Sequence, residues 1–378
     1  MPSIAIIGGG ASALAAAIAA AEAGADVTIY EKNDRVGRKI LSTGNGRCNL
    51  SNTDMSLSHF RGNHKFISSV LDSADVSSFI YDAGIITREE NGRLYPYSNH
   101  ASSVLDGLRF RALGLGVKML CNCTITKLSK KLGRFCLENV NGVKYTADKV
   151  IIAAGGKASP ALGADGMGFK LLASVGHTIT PVYPALVQLK CKKEQMKGLK
   201  GLRAYANAKL YSDDTLIKEE YGEIQFTDYG LLGIPIFNLS PFVGNLSGRI
   251  TVSLDLLPQY DNVMPILRNR NPEYLFTGIF QRPLAISVSE RAGKGGLSKV
   301  ASTVKDFRFD VIGTMPWENA QVTAGGAVTD EFSENLESKI VNGLYAAGEV
   351  LNVDGDYGGY NLHWAWASGI VAGRSAAK

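Results

Sequence analysis

What most constrains this chain is the join between its first two elements. Ser3-Ile-Ala-Ile-Ile7 is an apolar run of the kind that forms a wholly buried strand. Residues 12–23 read as an alanine-rich helix ending at Gly24, and "ADVTIYEK" as a second strand. Together they make a βαβ unit, the start of a parallel sheet covered by helices. Between strand and helix lies Gly8-Gly9-Gly10-Ala11-Ser12-Ala13, which fits G-x-G-x-x-G/A with Ala13 in the third glycine's place. Gly8 permits the tight turn, and Gly10 lets backbone approach a pyrophosphate. Ala11 and Ser12 open the helix, whose first turn aims N–H groups and the positive dipole end at that anion. About 20 residues on, Glu31 ends the second strand with Lys32 beside it, where a carboxylate accepts hydrogen bonds from both ribose hydroxyls of an adenosine. That carboxylate would repel a 2′-phosphate, which disfavours NADP and leaves FAD or NAD.

The far end of the chain helps to choose. "GLYAAGEV" (343–350) is a buried strand ending in Gly348-Glu349, and "GGYNLHWAWASGIVAG" (358–373) is a glycine loop opening a long apolar helix. In flavoproteins of the two-nucleotide-fold type such a carboxylate lies on the ribityl chain. The following helix N-terminus faces the N1/O2 edge of the flavin and stabilises negative charge there. An NAD site has no need of this return to the sheet. A second nucleotide loop is missing: "GADGMG" (163–168) does not directly follow a buried strand, and "GKGGLSK" (293–299) lacks the ending of a P-loop. Any nicotinamide donor would therefore bind transiently, without a Rossmann domain of its own.

Bulk properties narrow the class. At 378 residues the chain suits two or three domains, and 45% hydrophobic with 20% charged residues describes a soluble globular protein. A net charge of +5 is far from the clustered charge of a nucleic-acid binder, and the densest basic run, Leu189 to Arg203, has almost no aromatics, so it reads as a solvated surface. Five cysteines without a C-x-x-C argue against a disulfide framework, a zinc site and a thioredoxin-like pair, and suit a reducing cytoplasm. "IAIIGGGASALAAAIAAA" imitates a membrane span, but three glycines interrupt it, no Lys or Arg precedes it, and Glu22 and Asp26 follow closely. The expectation is a cytoplasmic enzyme with a small-molecule substrate and neither nucleic acid nor membrane as partner; the sequence carries no sign of an oligomeric state.

Amphipathic helices are expected around 64–83 and 100–115, strand pieces near 117–128, 133–140 and 143–147, and a buried strand in "DKVIIAAGG". After about Tyr183 the pattern alternates like a mixed or antiparallel sheet, and from Gln321 the buried-strand and glycine texture returns. The fold class is therefore α/β: a Rossmann-like nucleotide domain over 1–185 and 316–378, interrupted by an inserted domain over 186–315. The insert is β-rich over about 186–257 and 306–315, with a small helical part over about 258–305 where prolines break it into short helices.

Four blocks carry a specific resemblance: "GGGASALAAA…YEKNDRVGRKILSTGNGRCNLSN", "VIIAAGGKASPALGADGMGFKLLASVGH", "GEIQFTDYGLLGIP" and "ESKIVNGLYAAGEVLNVDGDYGGYNLHWAWASG". The chain resembles the BaiN-like flavoproteins, also described as aminoacetone oxidase-type FAD-binding enzymes. The resemblance implies an FAD domain with an inserted domain and non-covalent FAD. It places Arg38, Lys39, Gly44, Gly46, Arg47, Cys48 and Asn49 along the FAD and Gly358, Gly359, Tyr360, Asn361 and Leu362 at the isoalloxazine. Ala154, Gly155 and Gly156 would form the strand end that turns back to the nucleotide, and Ile125 would touch adenine through its backbone. Ala13 and "GLLGIP" depart from the family's usual residues; the second alters substrate-side packing.

Other residues invite two readings. Tyr360 and His363 beside the predicted flavin are candidates for a pocket wall and an acid/base, or ordinary packing residues. His177 reads as structural, and Cys121 and Cys123, alternating on a strand, as small buried hydrophobes. In "TGNGRCNLSN" Arg47 can meet a phosphate or the flavin edge, and Asn49 can cap the turn. Cys48 has no thiol partner in the local sequence and reads as a packed loop residue. No metal-ligand spacing is present. The function expected is an FAD-dependent oxidoreductase moving a hydride between a small organic substrate and FAD, an amine-type oxidase or an NAD(P)H-dependent reductase. The rivals are a flavin-binding sensor and an NAD-dependent dehydrogenase.

Overall fold

In the computed structural model, which describes residues 1–378, the N-terminal strands pair in parallel: β1 (Ser3–Ile7) with β2 (Asp26–Tyr30), Ile6 opposite Ile29. Three more parallel strands extend them, β3 (Lys118–Leu120), β4 (Lys149–Ile152) and β5 (Leu344–Ala346), in the order β5-β4-β1-β2-β3. Residues Ile4 to Ile7 and Val150 to Ile152 are buried on both faces, as in a parallel sheet covered on both sides. Each such aliphatic side chain contributes roughly 1.5–3 kcal/mol on burial.

Helix α1 (Ala11–Glu22) is buried from Ser12 to Ala20 because α2 (Tyr360–Ala376) lies directly against it. The contact is close enough that a β-carbon at Gly369 would come 2.5 Å from the Ser12 carbonyl oxygen, and one at Gly373 would overlap that of Ala16. The face of α1 that meets these glycines is made of Ser12, Ala15 and Ala16, small enough for such an approach. Helix Ala101–Gly114 also packs on α1, and the antiparallel meander Ile125–Lys131, Arg134–Asn139 and Lys144–Ala147 adds Leu128, Phe135 and Leu137 to the same core.

Two local expectations change. The helix expected over 64–83 is two helices, His64–Asp72 and Val76–Asp82, because Asp75 caps the second by accepting from the Ser78 N–H. The strand expected over 117–128 is broken after Leu120. Glu31 N–H donates to the Leu120 carbonyl and Cys123 N–H to the Glu31 carbonyl, so residues 121–124 cross over the end of β2. Cys121 and Cys123 are thus off any strand, and only Cys123 is buried.

These elements belong to one compact unit, Met1–Tyr183 with Val322–Lys378; Pro184–Gln321 forms the other. The second unit is a closed antiparallel barrel rather than an open sheet. Its strands run in the order Leu189–Cys191, Gly230–Leu232, Thr215–Phe226, Arg203–Ser212, Ile250–Asp255, Phe307–Thr314, and the first pairs with the last. Inward residues such as Ala206, Ala208, Leu210, Ile224, Val252 and Phe309 fill it. Helix Ile234–Val243, with Pro235 in its first turn, and the short helices Met264–Arg268, Arg282–Ala292 and Gly296–Lys305 complete the unit. The fold is a Rossmann-like α/β sheet together with a β-rich barrel. No helix is long and apolar enough to cross a membrane.

Candidate functional site

The carboxyl ends of four neighbouring strands converge on one edge of the parallel sheet, where ligands of open α/β sheets bind. After β1, Gly8 adopts φ +106°, and a β-carbon there would overlap the carbonyl oxygen of Ala153 just beyond β4. Gly10 caps α1 without a side-chain hydrogen bond, and no atom lies within 4 Å of where its β-carbon would be. The first-turn N–H groups of α1, from Ala11 and Ser12 onward, are thus left to an external acceptor. Ala154, Gly155 and Gly156 follow β4 and lie between Gly8 and the Glu349 side chain. Beyond β5, a β-carbon on Gly348 would overlap the Ser12 hydroxyl, while Ser368 Oγ accepts from Gly348 N–H at 2.9 Å.

Glu31 ends β2 buried, its Oε1 accepting from the backbone and side-chain nitrogens of Asn33 at 2.8 and 2.6 Å. Its other oxygen faces Gly9. Arg38 donates to Asn33 Oδ1 at 3.2 Å, so the carboxylate, Asn33 and the guanidinium form a chain. Lys32 points elsewhere, to Asp165 at 2.7 Å. Lys39 Nζ donates to Glu349 Oε2 at 2.8 Å, and the backbone N–H of Thr323 to Glu349 Oε1 at 2.7 Å, so both carboxylate oxygens are engaged. Asn33 and Thr323 escaped the sequence reading. An asparagine two places after the acidic residue was the available signal for the first, whereas Thr323 reaches the site only through tertiary packing.

The loop Thr43–Asn49 is wound tightly, with Gly44, Asn45, Gly46 and Cys48 all at positive φ. Arg47 does not face the strand ends. Its guanidinium forks onto Glu90 at 3.1 and 2.7 Å, donates through Nε to Asn99 at 2.6 Å and lies 4.1 Å over the Tyr95 ring. The phosphate or flavin-edge role read from sequence is therefore corrected: the fork's donors are taken by a carboxylate and an amide, and Arg47 pins the loop to the hairpin Thr87–Glu90/Arg93–Pro96. Cys48 is fully buried, and burial pushes its thiol up to about 11, so it stays protonated and unreactive as a thiolate at neutral pH. Asn49 is buried with Oδ1 lacking any partner, and that oxygen lies 2.8 Å from where a β-carbon of Gly359 would be.

Gly358 and Gly359 lead into α2, whose N-terminus likewise has no side-chain cap. Tyr360 is buried, its hydroxyl pushed up to about 12 by desolvation, and its ring stacks on His59 at 4.5 Å. The Asn361 side chain is spent on the loop, accepting from Gly355 N–H and donating to the Gly355 carbonyl at 2.9 and 2.8 Å. Leu362 packs partly buried against the core. His363 bonds Ser51 Oγ through Nδ1 at 2.7 Å, and desolvation holds it down to about 4, so the imidazole is neutral at pH 7. His177 is structural, bonded to Glu331 and Ser338 and stacked on Phe332. Ile125 is buried two residues past Cys123, next to the crossing over β2. No group of acids, histidines or cysteines could hold a metal ion.

Over residues 2–375 the chain matches the family described as HI0933-like protein Rossmann domain. It is 37% identical over 414 aligned residues to a 3-dehydro-bile acid delta(4,6)-reductase of Clostridium scindens, covering all of both chains. It is 28% identical to a ribosomal RNA dihydrouridine synthase of Haemophilus influenzae, over 99% of this chain and 98% of that one. A further dihydrouridine synthase with the same description, from Escherichia coli, is 29% identical over 96% and 95%. Among solved structures, the open conformation of a flavocytochrome c3 fumarate reductase superposes with a TM-score of 0.51 at 17% identity, over all of this chain and 78% of that one. A 3-ketosteroid-delta4-(5alpha)-dehydrogenase of Rhodococcus jostii gives 0.50 at 16%, over 99% and 96%. At those identities the likeness to solved structures is one of fold. The full-length match bears out the resemblance carried by the four sequence blocks: the chain belongs to the HI0933-like Rossmann-domain family, the BaiN-like FAD-binding flavoproteins.

Proposed function

We propose that this chain is an FAD-dependent reductase of carbon–carbon double bonds conjugated to a carbonyl group, with FAD held non-covalently in the discontinuous unit. The observation that carries the reading is that Glu31, the uncapped α1 N-terminus and Glu349 meet at one sheet edge, with the uncapped N-terminus of α2 about 13 Å farther along the same helix pair. The residues fit FAD. Glu31 has an oxygen for the adenosine ribose, and α1 has bare N–H groups for the pyrophosphate. Lys39 and Glu349 offer a donor and acceptors to ribityl hydroxyls. The orphaned buried acceptor Asn49 Oδ1 calls for a donor, which the flavin ring supplies as N–H.

The reductase reading is favoured over the oxidase by the names of relatives across the whole chain. A delta(4,6)-reductase of 3-dehydro-bile acids and the making of dihydrouridine both describe hydrogen added across a double bond conjugated to a carbonyl. When bound, FAD supplies the hydride. The chain's own contribution is to hold it between two helix N-termini, where α2 favours negative charge. NADH or NADPH would bind transiently, and five free thiols suit a reducing cytoplasm.

A second reading takes a uracil of RNA as the substrate, and it rests on the two dihydrouridine synthases. Against it, several cations of the basic run are tied up locally: Lys192 with Asp310, Lys200 with Asp228, Arg203 with Glu223. The test is the absorption spectrum and mass of the cofactor released from purified protein. Anaerobic mixing with NADH and NADPH follows, then turnover of a 3-oxo-4-ene bile acid against dihydrouridine formation in ribosomal RNA. Glu31→Gln should raise the FAD dissociation constant about tenfold, the loss of one charge-assisted hydrogen bond. A protein that neither carries nor takes up FAD sinks the proposal.

A further inference from the structure

Reducing a conjugated double bond takes a proton as well as a hydride, and the histidine of α2 that the sequence offered, His363, is half-buried, bonded to Ser51 and held neutral by desolvation. The other four histidines differ sharply. His177 is enclosed by Glu331 and Ser338, His64 bonds the Phe60 carbonyl, and His100 lies exposed ahead of helix Ala101–Gly114 without capping it. His59 alone is both partly open to solvent, at 30% of its side chain, and in contact with the first turn of α2, through its stack on Tyr360.

Its ring nitrogens both face carboxylates: Nδ1 is 3.2 Å from Asp356 Oδ2, and Nε2 is 3.1 Å from Asp54 Oδ2. Carboxylates accept and do not donate, so both bonds are made together only when the ring carries two protons. The groups around it have separate tasks. Asp356 is buried and accepts from Arg61 as well as from His59; Arg61 also donates to the buried Asp354 at 2.7 Å. This inner side is fixed. Asp54, on the outer side, is 62% exposed and anchored only by the local turn to Ser56. The Tyr360 hydroxyl is kept protonated by burial, and its ring stacks on His59.

We propose that His59 is the proton donor of the reductase, loaded through Asp54 and oriented by Asp356 and Tyr360. The inference rests on the flavin reading above and adds the residue that completes its chemistry. The β-carbon of the enone receives the hydride, and the electron pair of the double bond moves into an enolate. The Nε2–H bond of His59 then breaks, and its proton forms the new C–H bond at the α-carbon. Asp54, the exposed partner of Nε2, relays a solvent proton back to the ring, and NADH or NADPH restores the reduced cofactor.

The test uses the FAD-loaded protein with a 3-oxo-4-ene bile acid as the probe, comparing wild type, His59→Asn and Asp54→Asn. His59→Asn should lower enone turnover at least about 100-fold, the usual scale of a lost general acid. Its FAD dissociation constant, read by fluorescence quenching, and its anaerobic bleaching by NADPH should stay within about threefold. Wild type should show a pH limb in turnover that His59→Asn abolishes and Asp54→Asn moves. Turnover by His59→Asn within threefold of wild type overturns the proposal. So does weakened FAD binding with turnover regained at saturating FAD, which makes His59 a cofactor-positioning residue. Should His59→Asn unfold, an Asp54→Asn variant with an unmoved pH limb overturns the relay. Wild type that binds FAD but leaves the enone untouched defeats the reductase reading and this role together, whereas wild type that binds no FAD defeats the flavin reading itself.

Discussion

Cys48 sits in the turn after Gly46 and His363 in the first turn of α2, and desolvation keeps the first protonated and the second neutral. A thiol pushed up to about 11 stays protonated at neutral pH, so thiol reagents should leave Cys48 unlabelled in the native protein and reach it only on denaturation. Cys48→Ser should keep FAD content and turnover within about twofold while costing about 1–3 kcal/mol of stability, because it buries a hydroxyl in a thiol's place. His363 makes the opposite kind of prediction, about stability and not reactivity. Its proton is bound less tightly in the fold, at about 4, than in the unfolded chain, at 6.5. Between those values the unfolded state holds more protons, so stability is full above about 6.5 and is lost as pH falls through about 4. The loss amounts to about 3 kcal/mol at most. Urea unfolding at pH 7, 5.5 and 4.5 should show this slope in wild type and a flatter one in His363→Gln.

At the scale of elements, the packing of α1 on α2 fixes the offset between the two helix N-termini: Gly369 lies against Ser12 and Gly373 against Ala16, so α2 begins about 13 Å beyond the start of α1. Gly373 leaves no room for a β-carbon beside the Ala16 carbonyl, so Gly373→Leu must push the helices apart. Overpacking of this kind costs about 1–3 kcal/mol. Because both N-termini are proposed to address one cofactor, we expect Gly373→Leu to weaken FAD binding beyond its effect on the melting temperature. Titration with FAD well below that temperature separates the two. The loop Thr43–Asn49 is the other case in which an element, not a residue, carries the function. Its arginine is the pin to the Thr87–Glu90 hairpin, while Asn49 is the residue left with an unmet acceptor at the glycines before α2.

For the whole molecule, the barrel closes on itself, so it exposes no long unpaired strand edge and fills its own interior. A fragment Pro184–Gln321 should therefore fold alone, with a strand-rich circular dichroism spectrum and a cooperative thermal transition, and should bind no FAD. An unfolded fragment would count against its independence. The first unit has no such autonomy in either segment, because β5 and α2 come from the chain's end and complete a sheet and a helix pair begun at its start.

Local sequence alone determined the strand–glycine–helix start, the acidic end of β2, the returning strand and helix, and the β-rich character of the middle. Each is written in periodicity or in a glycine pattern spanning a few residues. Tertiary structure alone decided that the middle closes into a barrel, because closure depends on Leu189–Cys191 meeting Phe307–Thr314, more than a hundred residues apart. It also decided which side chains serve the site. Arg47 turned away because Glu90 and Asn99 lie within its reach, and Thr323 entered because its backbone meets Glu349. His59 stands out only once Asp356 and Tyr360, about three hundred residues later, fold against it. Side-chain charge and hydrogen bonding act over a few ångströms of space, and the sequence records distance along the chain.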